Sequence, residues 1–198
     1  MENKAYLLLD DVLHSIESII ATIDPYTAGH QKRVTDLALA IANELNLTED
    51  TIEGIRISAS LHDIGKMGIP IQILCKPGRL RQEEFNLMMK VPEIGYHILK
   101  QFNFSWPVAD IVLQHYEKCD GSGYPHGLTG DKILIQAKIL CVANVVEAIA
   151  SHRPYRIALG IDAALDEISK NSSQLYDSTV VNACLKIFKE KNYTLKNA

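Results

Sequence analysis

The stretch Leu61-His62-Asp63-Ile64-Gly65-Lys66 decides the fold. Ile52, Ile55, Ala59 and His62 recur at intervals of three, four and three residues, which puts His62 on the buried stripe of a helix. Asp63 follows at once, and Gly65 is placed to end that helix in a left-handed cap. A buried carboxylate is costly unless it is paired or holds a metal. Lys66, one step past the glycine, is near enough to meet an anion placed there. Alone, a His-Asp pair at a helix end is more often a hydrogen-bonded core feature than a pair of ligands.

Its company changes that reading. His30, Val34, Leu37 and Ile41 form a second stripe at four, three and four residues. Val108, Ile111, Val112 and His115 form a third, and Leu140 with Asn144 a fourth pair at i and i+4. Each helix turns an imidazole or amide to the side where an apolar residue belongs. Three histidines and an aspartate on separate stripes point to one buried polar site.

The remaining pattern is helical throughout, and the class is all-α. Residues 4–23 carry Ala5, Leu9, Val12, Ile16, Ile19 and Ile23 at coiled-coil seam spacing. That stripe serves either to pack on the domain or to form a homodimer seam or a lead-in from a sensor domain. With under three heptads, packing on the domain is preferred. Asp24-Pro25 reads as the N-cap and first turn of the helix that carries His30 to about Leu45. Thr48 caps the next. Residues 67–81 form a loop, followed by helices at about 82–90, 93–101 and 107–116. A glycine-rich loop covers 117–134. Helices at about 136–151, 161–170 and 177–190 close the chain, giving a lead-in helix 1–23, a domain 24–190 and a tail 191–198. Trp106 reads as core, and His14, His97, His126 and His152 match no ligand position.

A chain of 198 residues is long enough for one well-packed domain. A net charge of −4 argues against a broad nucleic-acid surface, so DNA is not an expected partner. Cys75, Cys119, Cys141 and Cys184 make neither a zinc pair nor a disulfide framework, which favours a reducing compartment. No apolar run is long enough for membrane insertion, and Asp10, Asp11 and Glu17 rule out a signal peptide at 5–23. The expected location is the cytoplasm.

Asp24-Pro25-Tyr26-Thr27-Ala28-Gly29-His30, His62-Asp63-Ile64-Gly65-Lys66, Asp120-Gly121-Ser122-Gly123-Tyr124-Pro125 and Ser151-His152-Arg153-Pro154-Tyr155-Arg156 together resemble the HD-GYP family. The likeness covers about residues 24–190. It implies an HD-superfamily helical bundle with a Gly-Tyr-Pro loop, bacterial origin, and metal-dependent phosphodiesterase chemistry that opens cyclic di-GMP to pGpG or GMP. By this resemblance one metal, iron or manganese, is held by His30, His62, Asp63 and position 144, with Asp63 bridging to a second metal. That second metal implies histidines where this chain has Val91 and Tyr116, beside His115, and position 144 is Asn144 in place of aspartate. Valine has no donor atom, and a phenol with a pKa of about 10 is a poor neutral ligand.

The second site is therefore expected to be empty and the first weakly held at best. Asp63, Lys66 and Glu117 remain as candidate catalytic residues, Asp63 and Glu117 to orient a water. The resemblance assigns ligand contact to Lys66, Arg153 and Arg156, suited to a phosphate by charge and by the arginine fork. Tyr124, fixed before Pro125, belongs to a loop that in the family lies near the site and contacts diguanylate cyclase domains. The expectation is a nucleotide- or partner-binding domain with weak or absent hydrolysis; the alternative is an active cyclic di-GMP phosphodiesterase with an altered metal site.

Overall fold

The computed structural model describes residues 2–24, 29–152 and 157–195, with the side chains of 2–9 left aside. Among the described residues there are ten α-helices and no strand: α1 (Glu2–Ile23), α2 (His30–Glu44), α3 (Glu49–Leu61), α4 (Ile71–Leu74), α5 (Gln82–Met88), α6 (Val91–Leu99), α7 (Val108–Gln114), α8 (Ile135–Ala150), α9 (Ile161–Lys170) and α10 (Ser178–Glu190). The all-α expectation holds.

Helix α8 is the axis of the bundle. Ala137, Ile139, Leu140, Val142, Ala143 and Val146 are buried around most of its circumference, as expected of a helix surrounded by others. It packs against α2, α9, α3, α7 and α10. The largest apolar cluster forms there, with Val34, Leu37 and Ile41 from α2 meeting Leu140 and Val146. A second cluster joins Leu13 and Ile20 of α1 to Ile57 and Leu61 of α3 and Val108 and Val112 of α7. Trp106 is half-buried against that cluster and donates its indole N–H to Asp50 at 3.1 Å.

Local chemistry sets the ends of the helices. The Thr48 hydroxyl accepts the Thr51 amide at the start of α3, and Glu49 and Asp50 complement the helix dipole there. Asp177 does the same for α10, accepting from the amides of Thr179 and Val180.

Three boundary expectations change. Helix α2 begins at His30 behind Gly29, which has φ 78°, and not at Asp24-Pro25. Asp24 instead follows directly on the end of α1, its amide bonded to the Ile20 carbonyl at 2.8 Å, and Pro25 to Ala28 lie outside the described residues. Gly65 is not a left-handed cap; it lies inside a 3-10 turn, Ile64–Gly68, within the segment read as the helix end and loop. A side chain there is excluded by packing, since a Cβ on Gly65 would stand 2.0 Å from the Val91 carbonyl oxygen. Finally, α1 packs through Leu13 and Ile20, with Ile16 and Ile23 half-buried, while Val12 and Ile19 stay 47% and 49% exposed. The seam is thus rotated by about one residue from the one expected.

Candidate metal centre and cleft

His62 and Asp63 follow the last turn of α3, His30 opens α2 and His115 ends α7. All four are essentially sealed from solvent. Convergence expected from the stripes is observed for His30, His62 and Asp63, whose donor atoms all lie within 4.8 Å of one another. Asp63 Oδ2 is 3.8 Å from His30 Nε2 and 3.7 Å from His62 Nε2. Those gaps exceed a hydrogen bond. Donors that share one ion at about 2.1 Å stand roughly 3–4 Å apart, so the spacing fits a single cation between them.

The orientation of the rings supports the same use. His62 Nδ1 lies 2.7 Å from the Ala59 carbonyl, and His115 Nδ1 lies 2.6 Å from the Val112 carbonyl. A carbonyl only accepts, so each Nδ1 carries a proton, and in the neutral ring the lone pair is then on Nε2. Both Nε2 atoms are buried and have no hydrogen-bond partner. His30 Nδ1 is bonded to Glu147 Oε2, which turns its Nε2 toward Asp63.

His115 is nevertheless outside the three-donor cluster. Its ring meets the His62 ring edge-on at 5.4 Å and the Tyr116 ring at 4.2 Å. Burial first, and then the neighbouring His62, lower the His115 pKa to about 3, which leaves a neutral imidazole. Val91, 1% exposed, is part of an apolar cluster with Ile69 and Leu74. Tyr116 contacts two rings: His115 lies at 4.2 Å, tilted by 44°, and Tyr124 stacks with it at 4.9 Å and 15°.

Charges balance in pairs. Lys66 Nζ is 2.9 Å from Asp63 Oδ2 and 3.0 Å from Asp24 Oδ2. Burial would raise the Asp63 carboxyl, but the Lys66 ammonium beside it, the largest of the opposing influences, holds it well below the usual carboxylate range. Burial would likewise discharge Lys66, and Asp63 and Asp24 outweigh that, keeping it above the ordinary lysine value. The lysine expected to meet an anion therefore already has two within the protein.

A cleft of about 430 Å³ opens over this centre, lined by His30, Asp63, Lys66, Asn144 and Tyr116 on its polar side and by Met88, Ile149 and Leu159 among its apolar walls. Asn144, from α8, lines the same cleft with a neutral amide in place of a carboxylate. Tyr124 is half-buried behind Tyr116, with its hydroxyl pKa raised by burial and then by Tyr116. Arg153 and Arg156 lie outside the described residues.

Glu117 departs from its expected role. Its Oε1 accepts the His126 amide at 2.7 Å and its Oε2 the Leu128 amide at 3.0 Å. Both oxygens hold the glycine-rich loop in shape, a structural use the sequence reading did not foresee. Gly123 closes the same turn, where a Cβ would come within 2.4 Å of Glu117 Cα.

Two residues near the centre escaped the sequence reading. Glu147, fully buried on α8, holds His30, and the fork of Arg33 grips Glu147 Oε1 through Nε at 2.9 Å and a terminal nitrogen at 2.7 Å. The available signal was a carboxylate three residues after Asn144 on a strongly apolar helix.

Comparison with known proteins agrees with this architecture. The family model described as HD domain matches residues 14–180. The chain is 39% identical over 178 residues to the cyclic di-GMP phosphodiesterase response regulator RpfG of Xanthomonas campestris pv. campestris, covering 89% of this chain and 47% of that protein. It is 40% identical over 189 residues to a cyclic di-GMP phosphodiesterase of Thermotoga maritima, covering 91% of this chain and 51% of that protein. Among solved structures, a cyclic GMP-AMP specific phosphodiesterase of Vibrio cholerae (V-cGAP3) superposes with a TM-score of 0.60 at 29% identity, over 94% of this chain and 42% of that one. The chain thus spans about half the length of the relatives it matches.

Proposed function

Because this chain belongs to the HD domain family, we propose that it is a cyclic-dinucleotide-binding domain of HD-GYP type that holds one divalent cation and hydrolyses its ligand weakly or not at all. The observation that carries this reading is the donor set. His30, His62 and Asp63 converge within 4.8 Å, while Val91 sits in an apolar cluster and Tyr116 is packed against the rings of His115 and Tyr124. The first cation then has three protein ligands and Asn144 in reach; a second has too few.

A bound cation in such a site polarises a phosphoryl oxygen and acidifies water, and a two-metal clamp also steadies the leaving oxygen. The protein's own share is different. His62 and His30 present Nε2 toward the cation, Asp63 supplies the one anionic ligand, and Lys66, already ion-paired to Asp63 and Asp24, lines the cleft wall. Two nitrogen donors and one carboxylate suit iron(II), cobalt(II) or zinc better than the harder manganese(II) or magnesium. Both curated relatives named above act on cyclic di-GMP by name, which makes it the first ligand to try; the Vibrio cholerae structure makes cyclic GMP-AMP the second. No helix among the described residues is long and apolar enough to cross a membrane, in keeping with a cytoplasmic domain. The exposed crest of the loop, Ser122 with His126 and Gly127, is the surface left for a diguanylate cyclase partner.

The test is metal content of the purified protein, calorimetry with cyclic di-GMP, and turnover with added iron or manganese. One metal or fewer, binding, and negligible turnover are expected. Fast turnover with two bound metals overturns the reading in favour of an active phosphodiesterase. One observation favours that second reading: His115 Nε2 is a buried lone pair without a hydrogen-bond partner.

A further inference from the structure

His30 differs from His62 and His115 in what holds it. The other two rings lean on backbone carbonyls, whereas His30 Nδ1 is bonded to the side chain of Glu147. Glu147 is fully buried, and an unpaired carboxylate there would be strongly disfavoured. Arg33 supplies the compensating charge, with both fork nitrogens on Oε1, so that Oε2 is the oxygen left for His30. Arginine stays charged, and a carboxylate only accepts. The proton between Glu147 and His30 therefore belongs to Nδ1, so that the neutral ring carries its lone pair on Nε2, the atom 3.8 Å from Asp63.

We propose that Glu147, clamped by Arg33, is the positioning residue that sets the tautomer and aim of His30 for the cation at Asp63. The inference rests on the metal-binding reading for its purpose, but the tautomer can be observed without any metal.

Replacing Glu147 by glutamine tests it with almost no change in shape. Arg33 has only donors to offer, so it claims the glutamine oxygen. The amide NH2 then faces His30 Nδ1, which must accept, and the ring proton moves to Nε2. Nitrogen NMR of the imidazoles is expected to show His30 protonated on Nδ1 in the native chain and on Nε2 in E147Q. Zinc or cobalt affinity of E147Q, measured by calorimetry, is expected to fall roughly 10–100-fold. The double change Arg33→Met with Glu147→Gln frees the glutamine to turn its oxygen to His30. It is expected to restore the Nδ1-protonated ring and much of the affinity, which a merely structural role would not do.

An unchanged His30 tautomer in E147Q overturns the proposal, whether or not affinity falls. So does a double variant that is folded by circular dichroism yet no better than E147Q. Should E147Q fail to fold, the double variant alone decides, by whether its His30 keeps the native tautomer. A native chain with the expected tautomer and no zinc or cobalt binding upholds the positioning role and sinks the metal-binding reading instead.

Discussion

At the scale of single residues, identity alone did not reveal role; the partner of each polar atom did. Glu117 carries the charge expected of a water-orienting base, but its two oxygens hold the amides of His126 and Leu128. Truncation to alanine leaves both amides without that acceptor in a partly buried loop, so Glu117→Ala is expected to cost roughly 1–3 kcal/mol of stability in urea unfolding. Zinc affinity should stay close to native, because Glu117 touches none of the donors; a large loss of metal without a loss of stability would return it to the active site. Asn144 argues in the opposite direction. It lines the cleft beside His30 and Asp63, one atom exchange away from a second anionic ligand. Asn144→Asp is expected to tighten divalent metal by tenfold or more, of the order of the 1.4 kcal/mol that one decade of affinity represents. Val91→His, Tyr116→His and Asn144→Asp together are expected to raise bound metal from one to two and to bring cyclic di-GMP turnover up with it, read by elemental analysis and by product chromatography.

At the scale of elements, the helices were legible because their signals are local. Periodicity of three and four, Thr48 at an N-cap, and one polar residue on each apolar stripe gave the bundle and brought together His30, His62 and Asp63. What escaped depends on contacts distant in sequence. Glu147 finds Arg33 114 residues away, and Lys66 finds Asp24 42 residues away. The rotation of α1 escaped for another reason: Val12 and Leu13, like Ile19 and Ile20, offer neighbouring apolar stripes, and only the surface of α3 selects one. Gly65 looked like a cap because the sequence shows no trace of the Val91 carbonyl pressed against it. Gly65→Ala must therefore push the 3-10 turn and α6 apart, with Asp63 and Lys66 moving with the turn. The expected result is a clear drop in melting temperature together with loss of zinc binding. The start of α5 gives a pH test. Hydrogen bonds from Lys76, then from the Arg81 amide, pull Glu84 down to about 2. A depressed carboxyl contributes stability that is fully present above its unfolded value of about 4.3 and fades as pH falls toward 2. Glu84→Gln should consequently melt below the native chain at pH 7, with the gap narrowing between about pH 4 and 2; a gap constant across that range would remove the ion pairs from the account.

At the scale of the whole molecule, the proposed metal site lies where separate packing units meet. His30 comes from α2, in the large cluster around α8, while His62 follows Leu61, a member of the cluster shared by α1, α3 and α7. Asp24, at the end of α1, reaches Lys66 in the turn that follows Asp63. A cation at this junction ties the two clusters together, so it must stabilise the fold and not only the cleft. Binding to the native state alone adds about 2.7 kcal/mol at a metal concentration one hundred times Kd. For a chain of this size each kcal/mol moves Tm by about 2–4 °C, so saturating zinc or cobalt should raise Tm by roughly 5–11 °C. His62→Ala removes a ligand and is expected to abolish the shift, while the exposed His14→Ala should keep it whole. The shift ought also to disappear on acidification, because His30 and His62 bind metal only in their neutral forms. A native chain whose Tm ignores divalent metal at neutral pH, while still binding cyclic di-GMP in the calorimeter, would mean that Lys66 has taken over as the resident cation of Asp63 and that the fold has kept its ligand without its metal.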